Sequence, residues 1–371
     1  MTKGKGCVLF VKRHDANAKF VTNDIEILRK NFEVDVDEVN VPKSTAILLM
    51  LMRQFFSCLI RIPSYDIIYI WFADYHSFIP ALIGKLFGKK TVICAGGYEA
   101  TYIPEIEMGV YTSAGFRKKM RRFFTTYSLR NCSMILPVDE SLISNINTYI
   151  YSDVPGGEAL RDGIRNMIPG ISTPMKTVRL GYDSGIFAAM KGAVKERAVV
   201  SAGLITNRFE FMRKGFDILT ECSEKMKDVK FILIGLNEEH MSKLKALGRS
   251  NLELHGLVTY DKLIELYSRA RVYAQLSLFE GMPSSVCEAM LCGCVPVGSD
   301  VNGIPGIIGD TGIVVEKKDV PLISSALTTA LDLSEKRGED ARRRIMELFD
   351  IRKREAEINR ICSSLLEGRA E

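Results

Sequence analysis

A chain of 371 residues has room for two domains of ordinary size, each burying its own core. With 47% apolar and 26% charged residues it has a soluble globular composition, and a net charge of +5 is compatible with an anionic substrate or surface without demanding one. Nine cysteines without a CxxC pattern indicate reduced core thiols, Cys292 and Cys294 stand too close for metal ligands, and the four histidines (His14, His76, His240, His255) form no ligand cluster.

The apolar run Cys7 to Val11 is short and ends in charges. It reads as a first strand and not as a secretion signal, so a cytoplasmic protein is expected. The turn after it, 12–17, has no glycine pair, and the missing GxGxxG disfavours a nicotinamide enzyme. Phe32 to Val39 alternates as a second strand. Its Asp35-x-Asp37 has metal-motif spacing but lies mid-strand on one solvated face, so no metal site is expected. Ala46 to Ile62 is the most apolar helical stretch, with Arg53, Ser57 and Arg61 as a narrow polar stripe. The charges argue against a membrane span. The segment reads either as a helix packed on the sheet or as one lying in a membrane interface.

Asp66 to Trp71 and Thr91 to Ala95 read as the next two strands, joined by a helix around Pro80 to Phe87. Gly96-Gly97 after the second of them would let backbone approach a ligand. In 116–124, five of the six positions 117 to 122 are basic and phenylalanines stand at the edges. This is either a solvated helix face or a patch for anionic lipid headgroups. Ser133 to Val138 is a fifth strand, and Ser141 is a candidate cap for a following helix. Ser152 to Pro174 reads as a loop, Lys176 to Leu180 as a last strand, and 188–197 as a linker.

Strands are then expected at Ala198 to Gly203, Lys230 to Gly235 and Leu252 to Gly256. Val272 to Gly298 organises the chain. It reads as a buried strand to Phe279, a turn at 280–283, a helix capped by Ser284 or Ser285, and a second strand from Cys294. Ligands in such βαβ units sit beyond the strand ends, beside helix N-termini. Glu280 in the turn and Glu288 in the helix flank that position. Ser285-x-x-Glu288 also fits a capping box, which would leave Glu288 a structural task only. Glu339 to Leu366 reads as one long charged helix.

Glu280 and Glu288, the following Glu288-Ala-Met-x-x-Gly-x-x-Pro-Val, Gly303-Ile304-Pro305, 311–315 and the upstream Arg213-Lys214-Gly215-Phe216-Asp217 together resemble the signature of the GT-B retaining glycosyltransferases, family four, also called glycosyl transferases group 1. The resemblance covers most of the C-terminal half; the N-terminal half is similar in architecture. It implies an α/β GT-B fold: an N-terminal Rossmann-like acceptor domain over 1–187, a C-terminal Rossmann-like nucleotide-sugar donor domain over 188–340, the two facing across a cleft, and a helix over 341–371 that crosses back. The implied activity is retaining transfer of a sugar from a nucleotide-diphosphate sugar, UDP-linked in preference to GDP-linked, to a glycan or lipid-linked acceptor in polysaccharide or glycoconjugate biosynthesis.

In that resemblance Glu288 holds the ribose hydroxyls and Glu280 the sugar hydroxyls. Lys214, with Arg208, stabilises the departing diphosphate. The stretch Met282, Pro283, Ser284 and Ser285 binds phosphate or sugar oxygens through its amides. Gly256, Leu257 and Val258 meet the nucleobase, and Gly96 and Gly97 line the N-terminal side, where His14 and Asp15 approach the acceptor. Relatives often place a histidine after Gly97; this chain has Tyr98-Glu99 there, and His76 is the other candidate. No cofactor, metal or nucleic-acid partner is expected, and an anionic membrane surface is a candidate partner through 46–62 and 116–124. A nucleotide-sugar epimerase of the same fold and a non-catalytic nucleotide-sugar-binding membrane protein are the alternatives.

Overall fold

A computed structural model describes residues 6–42, 46–104, 107–112, 115–149, 160–333 and 335–368. The chain divides into two compact units. Unit 1 comprises Met1–Asn145, Arg161–Gly181 and Ile351–Glu371; unit 2 comprises Ile146–Leu160 and Tyr182–Asp350.

Unit 1 is built on β1 (Cys7–Arg13), α1 (Lys19–Asn31), β2 (Glu33–Val39), α2 (Ile47–Arg61), β3 (Ile67–Trp71), α3 (Tyr75–Leu86), β4 (Lys90–Ala95), α4 (Phe116–Asn131) and β5 (Met134–Pro137). Its sheet is parallel in the order β2-β1-β3-β4-β5. The central strand β3, IIYIW, is buried at all five positions, as a strand covered on both faces must be. Right-handed crossovers put α2, α3 and α4 on one face of this sheet. Asp35 and Asp37 on the edge strand accept bonds from Tyr65 (2.5 Å) and Arg61 (3.0 Å). The expected strand at 176–180 is an extended segment bonded to β5 (Lys176 N to Ile135 O, 3.0 Å; Val178 N to Pro137 O, 2.9 Å). The helix expected after Asp139 is a single 3-10 turn, and Asp139, not Ser141, caps it.

Three short elements follow: β6 (Asn145–Asn147), β7 (Leu160–Asp162) and α5 (Ile164–Met167). The last two fall in the stretch read as a loop, whose residues 152–159 lie outside those described.

Unit 2 carries β8 (Glu196–Ile205), α6 (Arg208–Arg213), α7 (Phe216–Lys225), β9 (Lys230–Leu236), α8 (Glu238–Lys245), β10 (Leu252–His255), α9 (Tyr260–Arg269), β11 (Ala270–Gln275), α10 (Ser284–Leu291), β12 (Val295–Ser299), α11 (Ile304–Ile308), β13 (Ile313–Val315), α12 (Val320–Asp332) and α13 (Glu335–Leu348). Its parallel sheet runs β10-β9-β8-β11-β12-β13 over a core that includes Phe216, Leu219, Phe231, Val272 and Leu327. The central strands of both units are buried and Rossmann-like, while the edge strands β2, β10 and β13 are largely half-buried or exposed.

The single terminal helix expected over 339–366 is two. The chain breaks at buried Phe349, and α14 (Ile351–Leu366) belongs to unit 1. There its Arg354 forms a buried double hydrogen bond with Asp24 of α1 (2.6 and 2.7 Å). The longer segment of unit 2 begins at Tyr182, which bonds to Phe349 near its other end (2.8 Å), so that segment's boundaries fall at 181/182 and 350/351 where 187 and 340 were expected.

Candidate functional site

The stretch around Glu280 belongs to unit 2. β11 lies between β8 and β12 in the sheet, so its C-terminal end opens at the middle of the sheet edge, beside the start of α10. Polar side chains alternate here along an otherwise apolar segment, Tyr273, Gln275 and Ser277, all buried. They form one hydrogen-bonded chain. Tyr273 (2.9 Å) and Ser285 (3.0 Å) donate to Gln275 Oε1, Gln275 Nε2 donates to Ser277 Oγ (2.6 Å), and Ser277 donates to Glu280 Oε1 (3.1 Å). The chain ties the first turn of α10 to the carboxylate in the loop.

Glu280 Oε1 also accepts from Lys214 Nζ and, at 3.4 Å, from Arg213 Nη1. Arg213 and Lys214 stand between two helices: they end α6, where a cation suits the helix dipole, and directly precede Gly215, the N-cap of α7. Their place is fixed by backbone: Leu278 N bonds to Arg213 O (2.8 Å). Gly215 follows at φ 72°, and a Cβ there would meet Leu276 O at 2.2 Å. Only glycine allows this approach. Burial by itself raises the Glu280 carboxyl, but the Lys214 and Arg213 charges and the hydrogen bonds from Lys214 and Ser277 outweigh it, and the group is held below its ordinary value. Arg208 is placed otherwise: it is exposed at the first position of α6 and has no hydrogen bond or ion pair among the described residues.

The expected cap of α10 is corrected. Pro283 occupies the N-cap and makes no side-chain cap bond, and Ser284 and Ser285 are already the first two helical residues. Glu288 is therefore too deep in the helix to close a capping box, whose Glu must stand three residues after the cap. It is half-buried, and its charge adds to the burial that is the main cause of the raised hydroxyl pKa of Tyr182, Tyr260 and Tyr267. Tyr182 in turn donates to Ser284 (3.3 Å). Gly281, Met282 and Pro283 are buried beneath this turn. After β10, Gly256 O accepts from Gly235 N (3.1 Å), Leu257 is 79% exposed, and Val258 is half-buried. His255 is tied to Glu253 (2.9 Å), which also binds Arg269, so it belongs to a strand-end ion network.

Unit 1 has its own cavity, about 430 Å³, at the C-terminal ends of β1, β3 and β4. It is lined by Arg13, Asp15, Phe72, Asp74, Tyr98, Glu99 and Arg121 among others. Buried Asp74 caps α3 and joins both arginines (Arg13 3.2 Å, Arg121 2.6 Å), and Arg121 lies over the Tyr98 ring at 4.5 Å. Phe72 is held at φ 65°, a strained value for a bulky residue, and its ring would stand 2.2 Å from a Cβ on Gly96. The amides of Gly96 and Gly97, where close backbone approach to a ligand was expected, are engaged within the loop. They donate to Glu99 Oε1 (2.9 Å) and Oε2 (3.2 Å). Glu99 is 1% exposed, and burial pushes its carboxyl up to about 7 against those backbone bonds. His76 does not line the cavity. It is buried on Trp71 O (2.9 Å), and burial lowers its pKa, which favours the neutral ring. His14 is exposed and pairs with Glu38 (3.0 Å); Asp15 lines the cavity.

Gln275, Ser277, Tyr273 and Arg213 were not singled out for this site from sequence. The signal was present as period-2 polar residues in a strand taken as wholly apolar.

The profile of glycosyl transferases group 1 matches residues 199–332. O-antigen chain mannosyltransferase B of Escherichia coli is 37% identical over 76 residues, 20% of this chain and 20% of that protein. The chain thus spans about a fifth of the length of that relative. Among solved structures, sucrose-phosphate synthase from Thermosynechococcus elongatus superimposes with a TM-score of 0.71 at 13% identity, covering 98% of this chain and 100% of that one. HepE of Anabaena in complex with UDP-glucose gives 0.70 at 14%, covering 96% and 99%. Residues 199–332, within the second unit, thus match the glycosyl transferases group 1 profile, and the fold is that of the GT-B structures.

Proposed function

We propose that the protein is a hexosyltransferase that moves a sugar from a nucleotide-diphosphate donor to a glycan or lipid-linked acceptor with retention of anomeric configuration. The observation that carries this reading is the buried Glu280 carboxylate, held ionised by Lys214 and Arg213 at the end of β11 and wired through Ser277 and Gln275 to the first turn of α10. A carboxylate so fixed accepts hydrogen bonds from sugar hydroxyls, and the lysine beside it meets a departing diphosphate, where charge grows in the transition state. Glu288 is the acceptor for the ribose diol. The backbone N–H groups of Met282, Ser284 and Ser285 around the start of α10 are offered to the phosphates; Pro283 between them has no N–H and makes no side-chain cap bond that competes. Arg208, exposed and unpaired, is a second cation for the diphosphate. Gly256 to Val258 serve the nucleobase. The unit 1 cavity, with Asp15, Asp74 and Glu99, takes the acceptor.

UDP is the favoured nucleotide because the HepE structure was solved with UDP-glucose, and GDP is the second choice. The likeness to a mannosyltransferase makes a hexose the expected group. The chemistry proposed needs no metal, since cations of the chain face the phosphates.

Thermal unfolding with UDP, GDP, ADP and CMP, each with and without EDTA, tests the donor site. A ligand at 100 times its dissociation constant stabilises by ~2.7 kcal/mol. The expected result is a shift with one nucleotide that survives EDTA and disappears in Glu288→Ala. A shift abolished by EDTA would overturn metal independence; no shift with any of the four would overturn the donor site.

A further inference from the structure

One face of unit 1 is unlike the rest of the molecule. α2, α3 and α4 together hold nine Lys or Arg and no Asp or Glu. The chain as a whole is nearly balanced, 50 basic to 45 acidic residues, and the helices α1 and α14 carry both signs. Arg61, Lys118 and Arg121 are paired with Asp37, Glu107 and Asp74 outside these helices, and the remaining cations leave the layer positive.

The same layer exposes large apolar side chains. On α2, Leu48, Met52, Phe56 and Ile60 recur every four residues and are 56% to 79% exposed, with Leu49 beside them at 64%. The opposite side of the helix, Ile47, Leu51, Gln54 and Cys58, is buried, and Gln54 donates to His76 O at 2.9 Å. By length and composition alone Ile47–Ser64 is apolar enough to cross a bilayer. Its inner side and Gln54 are instead committed to unit 1, while only 22% of the segment is buried. A helix packed along one side and bare and apolar along the other is built to lie in an interface.

Charge and apolar surface adjoin. The guanidinium of Arg117 at the start of α4 donates to Pro42 O, just before α2 (3.3 Å), and Lys89 after α3 donates to Pro63 O just after α2 (2.7 Å). Phe116 (80% exposed) and Phe123 (58%) extend the apolar surface on α4. Arg53 on α2 and Lys119 on α4 are exposed, without a hydrogen bond or ion pair among the described residues. A nucleic acid would use the cations but leave the aliphatic stripe in water. A neutral protein surface would cover the stripe but leave the cations unmatched. We infer that this face docks on an anionic lipid bilayer, with the α2 stripe set among the upper acyl chains and the exposed cations Arg53 of α2 and Lys119 of α4 at the lipid phosphates. The proposal is independent of the sugar-transfer reading, because no residue of the unit 2 site takes part.

The test is co-sedimentation of the full chain with vesicles of phosphatidylcholine alone and with 30% phosphatidylglycerol (roughly the charge density of an anionic membrane). The expected result is salt-sensitive binding to the charged vesicles and little to the neutral ones. Arg53→Gln with Lys119→Gln should weaken it roughly thirtyfold and flatten its salt dependence. Met52→Ser/Phe56→Ser/Ile60→Ser should abolish it; circular dichroism checks that this triple variant is folded, and the charge variant carries the test if it is not. No binding of the parent to charged vesicles would overturn the proposal. So would a concentration-dependent dimer that the triple variant dissociates while vesicle affinity stays the same, since the stripe would then serve a second copy of the chain.

Discussion

The Glu280 carboxylate and the Lys214 ammonium are hydrogen-bonded partners 66 residues apart, each at most 14% exposed at its side chain. Removing one leaves the other's charge buried with weaker compensation, which costs about 3 kcal/mol or more in such sites. Glu280→Ala and Lys214→Ala are each expected to lower the urea midpoint, and the double variant to lose less than the sum, with a coupling of roughly 1–3 kcal/mol. Glu280→Ala should also abolish turnover. Strict additivity of the two stability losses would show that the pair is not a unit.

Glu99 gives a pH dependence of opposite sign to an ordinary ion-paired acid. Its carboxyl is raised from 4.5 to about 7 in the folded chain, mainly by burial. The folded state therefore binds the proton more tightly than the unfolded state. The stabilisation is complete below about pH 4.5 and is lost as pH rises toward 7, up to about 3 kcal/mol. Glu99→Gln, which stays neutral, should flatten this slope. The measurement is the denaturant midpoint of both proteins from pH 4.5 to 8; parallel curves would refute the assignment.

The two halves of the chain were unequally legible. Glu280, Glu288 and Lys214 stood out because motif residues in a loop, a helix and a turn are constrained at fixed spacing. The network that holds Glu280 was not visible, because Gln275 and Ser277 lie inside a segment whose burial made it read as uniformly apolar. The short helix α6 that ends at Arg213 was not visible, because six residues are too few to show periodicity. In unit 1 the strands could be read from their apolar runs. The Gly96-Gly97 amides were misjudged, since their partner is a carboxylate three residues ahead and no pattern announces a buried acid. The break at Phe349 was hidden because the helical charge pattern continues through it on both sides.

Gly215 is the backbone device that holds Lys214 beside Glu280. At φ 72° with Leu276 O only 2.2 Å from a virtual Cβ, Gly215→Ala meets both strain and a backbone clash. A loss well above 1 kcal/mol is expected, together with weaker nucleotide binding, because Lys214 must move with the backbone. An alanine variant of unchanged midpoint and unchanged nucleotide affinity would mean that Lys214 is positioned by its side-chain contacts alone.

The terminal helix is joined to unit 1 by charge as well as by packing. Arg354 (3% exposed) meets Asp24 (0%), and Asp24 also accepts from Tyr69 (3.0 Å) and from Trp71 Nε1 (2.8 Å). Asp24→Asn keeps an acceptor for the tyrosine or the indole but removes the counter-charge of Arg354. A cost of about 3–5 kcal/mol follows from a buried cation left alone. Trp71 is the chain's single tryptophan and bonds this carboxylate directly, so its fluorescence reports unit 1 while unit 2 stays silent. Asp24→Asn should lower the fluorescence-detected midpoint while a nucleotide bound at unit 2 still raises the thermal transition by the parent's margin. Adding Arg354→Met should recover part of the loss, because the stranded charge is gone. If the second substitution instead deepens the loss by its full single-site cost, the pair contributes through shape and not through charge.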